Sequence, residues 1–337
     1  MKPANSPRFR KEEQKLMVLG GSDSSLREMK FSEFPSVLNP GDLVVLNDAA
    51  TLPASLHGNA GSGAPIEMRL AAHADDSSFW AVLFGPGDWR IATEDRMPPP
   101  APGQEDVLTF SEGLHAKILE VSPVSARLIR IKFLEKEADW LNEIYRIGKP
   151  IQYSYLREAL SLWDVQNVYS SRPWAFEMPS AGHALDWNLL LQIKKRGIKL
   201  ASLTHAAGIS STGEPVLDAF LPLPERYDLP QETVNQILET KAKGKRVIAV
   251  GTSVVRALES AVHLRAGIGR TELRLNSDYK LRVVDGVLSG MHDTAESHFQ
   301  LLSTFASKNL LQEMLNFAEK KGYLNHEFGD SCLILTK

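Results

Sequence analysis

The chain has 337 residues, of which 43% are hydrophobic and 23% are charged, a composition that is ordinary for a soluble globular protein. This length exceeds what one hydrophobic core usually fills, so we expect two domains or one large domain with an insertion. The single cysteine, Cys332, excludes an intrachain disulfide framework and a cysteine-rich zinc site. The net charge of -3 excludes a global basic field, so only a local patch could hold a nucleic acid.

The first residues, from Met1 to Pro7, contain no apolar run that would mark a signal peptide. No apolar stretch approaches the roughly 20 residues that a membrane-spanning helix needs. We therefore expect a cytoplasmic protein with no membrane partner. Two basic segments, residues 194–199 and 241–246, are candidate patches for a nucleic acid. Both adjoin the ends of predicted helices, where cations also complement the helix dipole, so this simpler interpretation stays open.

The first strongly patterned region lies between residues 41 and 58. Leu43 to Leu46 is a continuous apolar run bounded by turn residues, which predicts a strand covered on both faces, then a turn and a second strand. From Ile66 to about Phe133, short segments of alternating hydrophobicity are separated by loops rich in glycine and proline. This pattern predicts a small antiparallel sheet or barrel, which we assign to an inserted domain.

After residue 140, predicted helices and strands alternate. The helices lie around Leu189, between Pro230 and Gly244, over residues 252–260 and over residues 308–321. The strands lie over residues 198–203, over 246–251, near Leu273, over 281–288 and from Cys332 to Leu335. This alternation predicts an α/β fold with a mostly parallel sheet, whose functional sites lie at the carboxyl ends of the strands.

The junction of the predicted strand 246–251 with the following helix carries the clearest local signal for a ligand. Gly251 permits a tight bend, and Thr252 or Ser253 can cap the helix. Unpaired N–H groups at such a helix start favour a carboxylate or a phosphate. Arg256, one turn later, would add a fork-shaped cation. The alternative is an ordinary cap followed by a surface arginine.

Histidines mark two further loops. His205, next to Thr204 at a predicted strand end, is a candidate proton carrier near neutral pH, although a structural histidine is the simpler interpretation. His292 and His298 have acidic neighbours, but they lack the His-x-x-x-His spacing of one helical face and no cysteine accompanies them. We therefore expect no metal there, and we interpret both histidines as acid–base or substrate-contacting groups.

Two more loops are candidates with an equally simple alternative. Residues 177–183, Glu-Met-Pro-Ser-Ala-Gly-His, lead into a helix that Asp186 can cap. Residues 326–330, His-Glu-Phe-Gly-Asp, precede the last predicted strand. Either loop could simply turn the chain. The sequence contains no Walker loop, no Gly-x-Ser-x-Gly elbow and no Gly-x-Gly-x-x-Gly dinucleotide motif.

Several segments, taken in chain order, carry a family resemblance. They are Asn39 to Asp48, Leu52 to Gly58, Val168-Tyr-Ser, Pro179-Ser-Ala-Gly, Lys241 to Ser260, His292 with Ser303 and Phe305, and Phe328-Gly-Asp. In this order they resemble the S-adenosylmethionine:tRNA ribosyltransferase-isomerase family, and the stretch from Lys241 to Ser260 is the most specific match. The chain looks like a divergent branch of that family.

The resemblance implies a large α/β barrel-like catalytic domain, residues 1–58 and 140–337, with a small antiparallel β-barrel domain inserted over residues 59–139. It implies transfer and isomerisation of the ribosyl part of S-adenosylmethionine onto 7-aminomethyl-7-deazaguanine in tRNA, giving epoxyqueuosine and releasing adenine and methionine. A sulfonium acidifies the adjacent 5′ carbon, so a base can start the rearrangement and an acid can assist the departure of adenine. S-adenosylmethionine is then a co-substrate, and we expect no further cofactor and a monomeric chain.

The resemblance and these loops together give the predicted site. The residues predicted to act in catalysis are His205, Glu225, His292 and His298. The residues predicted to bind substrate are Asn47, Pro179, Ser180, Ala181, Gly182, Thr204, Gly251, Thr252, Ser253, Arg256, Ser297 and Asp330. No residue is predicted to bind a metal.

The chain also departs from the family pattern. Ala50 and Ser55 stand where the family has two arginines, whose fork-shaped contacts neither residue can replace. Three hypotheses therefore stay open. The chain catalyses the full tRNA reaction, or it is a paralogous enzyme that uses S-adenosylmethionine or a related nucleoside with another acceptor, or it is a catalytically silent nucleoside-binding protein.

Overall fold

The computed structural model describes residues 1–20, 25–74, 77–261, 264–294 and 296–336. Its strands are β1 Lys2–Pro3, β2 Lys15–Leu19, β3 Leu26–Lys30, β4 Leu43–Asn47, β5 Ala49–Thr51, β6 Ser55–Asn59, β7 Pro65–His73, β8 Phe79–Phe84, β9 Val107–Phe110, β10 His115–Val121, β11 Leu128–Phe133, β12 Arg172–Ala175, β13 Lys199–His205, β14 Glu225–Leu229, β15 Val247–Val250, β16 Gly267–Thr271, β17 Gly286–Gly290, β18 Leu324–Asn325 and β19 Ser331–Leu335. Its helices are α1 Phe34–Val37, α2 Glu137–Ile147, α3 Trp187–Lys195, α4 Pro215–Asp218, α5 Gln231–Ala242, α6 Thr252–Ser260, α7 Ser297–Leu302 and α8 Lys308–Lys320. Within these ranges, none of the helices has the length and apolar character that crossing a membrane requires.

Nine strands form the large sheet, in the order β16-β14-β13-β4-β15-β17-β19-β2-β3. The four neighbours β13, β4, β15 and β17 pair in parallel, whereas β14, β16, β3 and β19 each form antiparallel pairs. The expectation of a mostly parallel sheet is therefore wrong for the strands outside these four, apart from β19 and β2, which also pair in parallel. The helix between β13 and β14 is only the single turn α4, which is too short to serve as a crossover helix, and β14 returns alongside β13 in the opposite direction.

Strand β4 lies in the interior of the sheet, between β13 and β15, and its residues show how the sheet is covered on both faces. Leu43 and Val45 pack on one face with residues of α5 and α6. Val44 and Leu46 pack on the other face with residues of α3. The continuous apolar run thus forms the doubly covered strand that it predicts.

The strand predicted over residues 281–288 is only partly present, because β17 begins at Gly286. The buried carboxylate of Glu259 accepts hydrogen bonds from the backbone N–H groups of Arg282 (3.0 Å), Val283 (3.0 Å) and Val284 (3.1 Å). Since a side chain takes these donors, they are not available to a strand partner. The strand predicted near Leu273 likewise ends earlier, at Thr271.

Six further strands form a closed antiparallel barrel in the order β10-β11-β8-β7-β6-β9. It confirms the α/β class with an inserted antiparallel β-barrel. The first barrel strand begins at Ser55, so this strand starts before the predicted boundary at residue 59. The chain enters and leaves the barrel through one bridge, in which Ser55 and Lys149 exchange two backbone hydrogen bonds of 2.9 Å. The domain boundaries themselves stay a prediction.

A buried ion network lies within the barrel. Glu67 accepts from Arg69 Nε at 2.6 Å and from Arg96, and Ser55 Oγ donates to it at 2.8 Å. Burial alone would raise the pKa of Glu67, but the two arginines lower it to about 2. The carboxylate therefore remains ionised, and the network holds three charges away from solvent.

We predict that Glu67→Gln lowers the free energy of unfolding by about 3 kcal/mol, because it leaves two buried guanidinium groups without their carboxylate. Urea denaturation followed by circular dichroism measures the change. The control is Glu105→Gln, which removes an exposed pair with Lys117 in the same barrel and should cost less than about 1 kcal/mol. Equal effects of the two variants would contradict the prediction.

Candidate active site

The carboxyl ends of the four parallel strands meet at one edge of the large sheet. Asn47 ends β4 and His205 ends β13. The side chain of Asn47 accepts from the backbone N–H of His205 (2.9 Å) and donates to its carbonyl (3.0 Å). The same amide lies 3.4 Å from Ser253 Oγ at the start of α6. Asn47 therefore ties together three chain segments, namely the end of β4, the end of β13 and the start of α6.

The turn at Gly251 lies beside a fourth chain segment, the loop around Ala181. Gly251 adopts a φ of 96°, which favours glycine. A Cβ at this position would lie 3.5 Å from Ala181 Cβ, so the loop around Ala181 sits beside the turn. The expected side-chain cap is wrong, since Gly251 itself precedes α6 and no side chain caps this helix. Ser253 instead contacts Asn47.

A buried group of three side chains lies beside the end of β13. Glu225 accepts from Arg256 and from the backbone N–H of Gly208 (2.8 Å), and its Oε2 lies 3.3 Å from His205 Nε2. Burial would raise the pKa of Glu225, but Arg256 and His205 lower it to about 2. The carboxylate is therefore ionised, and we call these residues the Glu225 triad: His205, Glu225 and Arg256.

Arg256 is thus not a surface arginine. It is only 8% exposed, and its guanidinium donates to Glu225 and to the carbonyl of Leu273 (3.0 Å). Most of its fork is used within the protein. Direct binding of a substrate by Arg256 stays a prediction.

The second group, the His292 cluster, consists of His292, Glu296 and His298. His292 Nδ1 lies 2.9 Å from Glu296 Oε2, and its Nε2 lies 3.2 Å from Ser289 Oγ. Because a carboxylate can only accept, Nδ1 carries the proton, and a neutral ring then accepts from the Ser289 hydroxyl through Nε2. Both ring nitrogens of His292 are occupied.

His298 completes the His292 cluster. Its ring stacks on that of His292 with centroids 4.4 Å apart, and its Nδ1 lies 3.8 Å from Glu296 Oε2. Burial and the neighbouring His292 lower the pKa of His298, while Glu296 and Glu225 act in the opposite direction. The ring is therefore neutral near pH 7. His292 follows β17 and Arg256 lies on α6, directly after β15, and β15 pairs in parallel with β17. The His292 cluster and the Glu225 triad therefore lie at the same edge of the sheet.

The spacing of the histidines did not reveal this cluster. His292 lies in the loop before α7 and His298 in its first turn, yet one ligand atom from each histidine and one from Glu296 all lie within 4.8 Å of one another. The helical-face argument therefore fails as a guide to the geometry. The absence of a metal stays a prediction.

The remaining predicted residues differ in their surroundings. Residues 179–182 form a short 3-10 turn, in which a Cβ on Gly182 would collide with Tyr169 Oη at 1.8 Å. Thr204 Oγ1 donates to Asp48 at 2.6 Å, and Ser297 is exposed at the start of α7.

Asp330 joins chain segments within the fold. Its buried carboxylate accepts from Arg8 Nη2 and from the backbone N–H groups of Lys15 and Leu324, each at 2.8 Å. These contacts tie the N-terminal segment to the tail. They occupy the carboxylate that the sequence assigned to a substrate, and substrate binding by Asp330 stays a prediction.

The two basic segments do not lie at this edge. They precede β13 and β15, at the amino ends of the parallel strands. Lys241, Lys243 and Arg246 are paired with Asp285 (2.8 Å), Glu239 (2.6 Å) and Asp42 (2.6 Å). Neither segment therefore lies at the candidate active site, and binding of a nucleic acid by either one stays a prediction.

Sequence reasoning missed Ser289, Tyr153 and Tyr155. Ser289 is one polar residue within a buried strand, and the two tyrosines lie in a segment without periodic pattern, so no local signal identified them. A cavity of about 540 Å³ lies elsewhere, against the barrel, with Glu67 and Lys149 in its lining. No predicted site residue lines that cavity.

The fold and this site can now be compared with known proteins. The sequence matches the family described as "Queuosine biosynthesis protein" over residues 2–334. It is 30% identical over 340 residues to the S-adenosylmethionine:tRNA ribosyltransferase-isomerase of Trichlorobacter lovleyi, covering 98% of this chain and 96% of that protein. It is 31% identical over 343 residues to the protein of the same name from Halothermothrix orenii, again covering 98% and 96%.

The crystal structure of an S-adenosylmethionine tRNA ribosyltransferase from Thermotoga maritima shares the fold. Its TM-score is 0.54 at 24% sequence identity, covering 99% of this chain and 96% of that one. The chain therefore belongs to the queuosine biosynthesis protein family, and the predicted family is confirmed.

We predict that Glu225 and Arg256 are strongly coupled. Glu225→Gln and Arg256→Met should each lower the free energy of unfolding by about 3 kcal/mol, because each leaves one buried charge unpaired. The double variant should cost no more than either single variant, since it removes both charges. Urea denaturation of all four proteins gives the coupling.

The control cycle uses Lys199→Gln and Glu239→Gln. This exposed pair is 2.7 Å apart, and its coupling should remain below about 1 kcal/mol. Additive losses at Glu225 and Arg256 would show that the two side chains act independently.

Proposed function

We propose that this chain is an S-adenosylmethionine:tRNA ribosyltransferase-isomerase. It would transfer and isomerise the ribosyl part of S-adenosylmethionine onto 7-aminomethyl-7-deazaguanine in tRNA, with release of adenine and methionine. The names of the relatives, matched over nearly their full length, support the reaction. The observation that carries the proposal is the position of the Glu225 triad and the His292 cluster at one edge of the sheet, where the parallel strands β13, β4, β15 and β17 end.

The charges at this edge suit a sulfonium donor. Glu225 pairs with Arg256, and Glu296 lies against His292. These two groups thus contain two carboxylates and one arginine, so their ionised side chains favour a cation. The start of α6, which no side chain caps, offers backbone N–H groups to the carboxylate of the donor's methionine part. One edge of the sheet can therefore hold both charged ends of S-adenosylmethionine.

His298 is the best placed proton carrier. The reaction needs a base to remove a proton from the 5′ carbon next to the sulfonium. His298 is neutral because its pKa is lowered, and its ring nitrogens make no hydrogen bond to another residue in the described ranges. His292 uses both nitrogens on Glu296 and Ser289, so its role is to orient His298.

The lost arginines motivate one competing function, a related enzyme with another acceptor. Ser55 lies in the barrel against Glu67, where Arg69 and Arg96 supply the guanidinium groups. Ala50 lies in β5, paired with Pro173. Neither substitution belongs to the Glu225 triad or the His292 cluster, so the donor part of the site does not depend on them. The absence of arginine at these two positions therefore affects only the choice of acceptor.

The decisive assay measures adenine release from S-adenosylmethionine. We expect release only when tRNA carrying 7-aminomethyl-7-deazaguanine is present, because the amine of that base is the acceptor. Unmodified tRNA of the same sequence is the control. Release without the modified tRNA would instead support the paralogous enzyme, and no release with any acceptor would support a silent binding protein.

We predict that His298→Ala lowers turnover by about 10²-fold or more, as expected for a lost general base. The affinity for S-adenosylmethionine, measured by calorimetry, should change little, because the variant retains both carboxylates. The matched control is His115→Ala, which removes a histidine paired with Glu135 on the barrel. Unchanged turnover in His298→Ala would remove this residue from the mechanism.

A further inference from the structure

Three rings form a stack beside the candidate active site. The rings of Tyr153 and Tyr155 are parallel to within 15°, with centroids 6.0 Å apart, and His326 stacks on Tyr155 at 4.3 Å. The Arg69 guanidinium lies 5.7 Å from the ring centre of Tyr153. His326, at the other end, is exposed, so the stack can be extended there by another flat ring.

Two carboxylates border this stack. Tyr153 Oη donates to Glu177, and Tyr155 Oη donates to Glu327. Burial raises the pKa of Glu177 to about 7, and the nearby charge of Glu327 adds to the effect. Within the described part of the chain, no ion pair includes either carboxylate, so two acidic groups lie close together without a cation.

The stack is connected to the site on one side through the loop after β13. Ala207 O accepts from the backbone N–H of Phe176, next to Glu177, at 2.9 Å. The following residue, Gly208, donates to Glu225 at 2.8 Å. One short loop therefore contacts both the Glu225 triad and the backbone that carries Glu177.

A second connection runs through the tail. Asn325 Nδ2, next to His326, donates to Asp293 at 3.0 Å, and Asp293 directly follows His292. The backbone N–H of Met291 donates to the carbonyl of Asp330 at 3.2 Å. Hydrogen bonds of neighbouring residues therefore connect the stack both to the loop after β13 and to the loop that carries His292.

We propose that the stacked rings of Tyr153, Tyr155 and His326, with the carboxylates of Glu177 and Glu327, bind the acceptor base. The ligand class is a purine-like heterocycle that bears a protonated aminomethyl group. The flat base stacks on His326, as single-stranded bases do on aromatic side chains. This inference rests on the proposed function, and it assigns to that site a separate acceptor pocket.

The two carboxylates have different tasks in this pocket. Glu327, next to His326 in the chain, accepts from the N–H groups on the edge of the base. Glu177, which adjoins the loop that contacts Glu225, pairs with the ammonium group and holds it towards the donor. Charge-assisted hydrogen bonds of this kind distinguish an amine-bearing base from guanine.

The test compares two anticodon stem-loop RNAs, one with 7-aminomethyl-7-deazaguanine and one with guanine at the same position. We expect wild-type protein to prefer the first RNA. Glu177→Gln should weaken binding of the first RNA at least about tenfold, the usual effect of losing a hydrogen bond to a charged group, and leave the second unchanged. His326→Ala should weaken both RNAs. Glu232→Gln, an exposed change on α5, is the control.

Unchanged affinity of each variant for S-adenosylmethionine shows that the donor-binding part of the site is intact. Should Glu177→Gln fail to fold, Glu327→Gln provides a second carboxylate variant. If Glu177→Gln and Glu327→Gln bind both RNAs as the wild type does, or if the wild type has no preference, the acceptor pocket is overturned. If the wild type prefers the amine-bearing RNA but releases no adenine, the pocket is supported and the proposed function fails.

Discussion

The parallel pairing of β4, β13, β15 and β17 determines where the candidate active site of this protein lies. Parallel strands end at the same edge of a sheet, so the residues that follow them must meet there. Asn47 fixes the arrangement, because its amide bonds both backbone groups of His205. Loops that are far apart in the sequence thereby supply His205, Ser253 and His292 to one place. The helices on both faces keep the strands in register, but the direction of the strands alone decides at which edge of the sheet these residues meet.

The barrel contributes to the same edge, although none of the predicted catalytic residues lies in it. Its entry and exit are joined by the hydrogen bonds between Ser55 and Lys149, so the segment that follows emerges at a fixed point and carries Tyr153 towards Glu177. The barrel also contacts the loop after β13 directly, since the backbone N–H of Ile209 donates to Ala71 O at 3.3 Å. The insertion therefore positions the region where we propose that the acceptor binds.

Patterns of neighbouring residues correctly predicted those strands and helices that depend mainly on their own sequence. The apolar run from Leu43 to Leu46 and the segment from Thr252 to Ser260 gave a strand and a helix where expected. The failures involve long-range partners. Glu259 takes the backbone donors that a strand over residues 281–285 would need. The Glu225 pair with Arg256 and the tyrosine–histidine stack join distant segments, and neither periodicity nor spacing can show such contacts.

The two buried carboxylates, Glu67 and Glu225, differ in how completely other side chains surround them, and this difference distinguishes a structural charge from a candidate functional one. A buried ion pair is often no more stabilising than apolar residues of the same volume. In the barrel, Glu67 is enclosed by two arginines and a serine, so its negative charge is compensated within the barrel and has a structural role. Glu225 has a single arginine and lies beside His205. A fixed carboxylate beside a histidine at the end of a strand provides an oriented electric field, which would suit the positively charged donor of the proposed function.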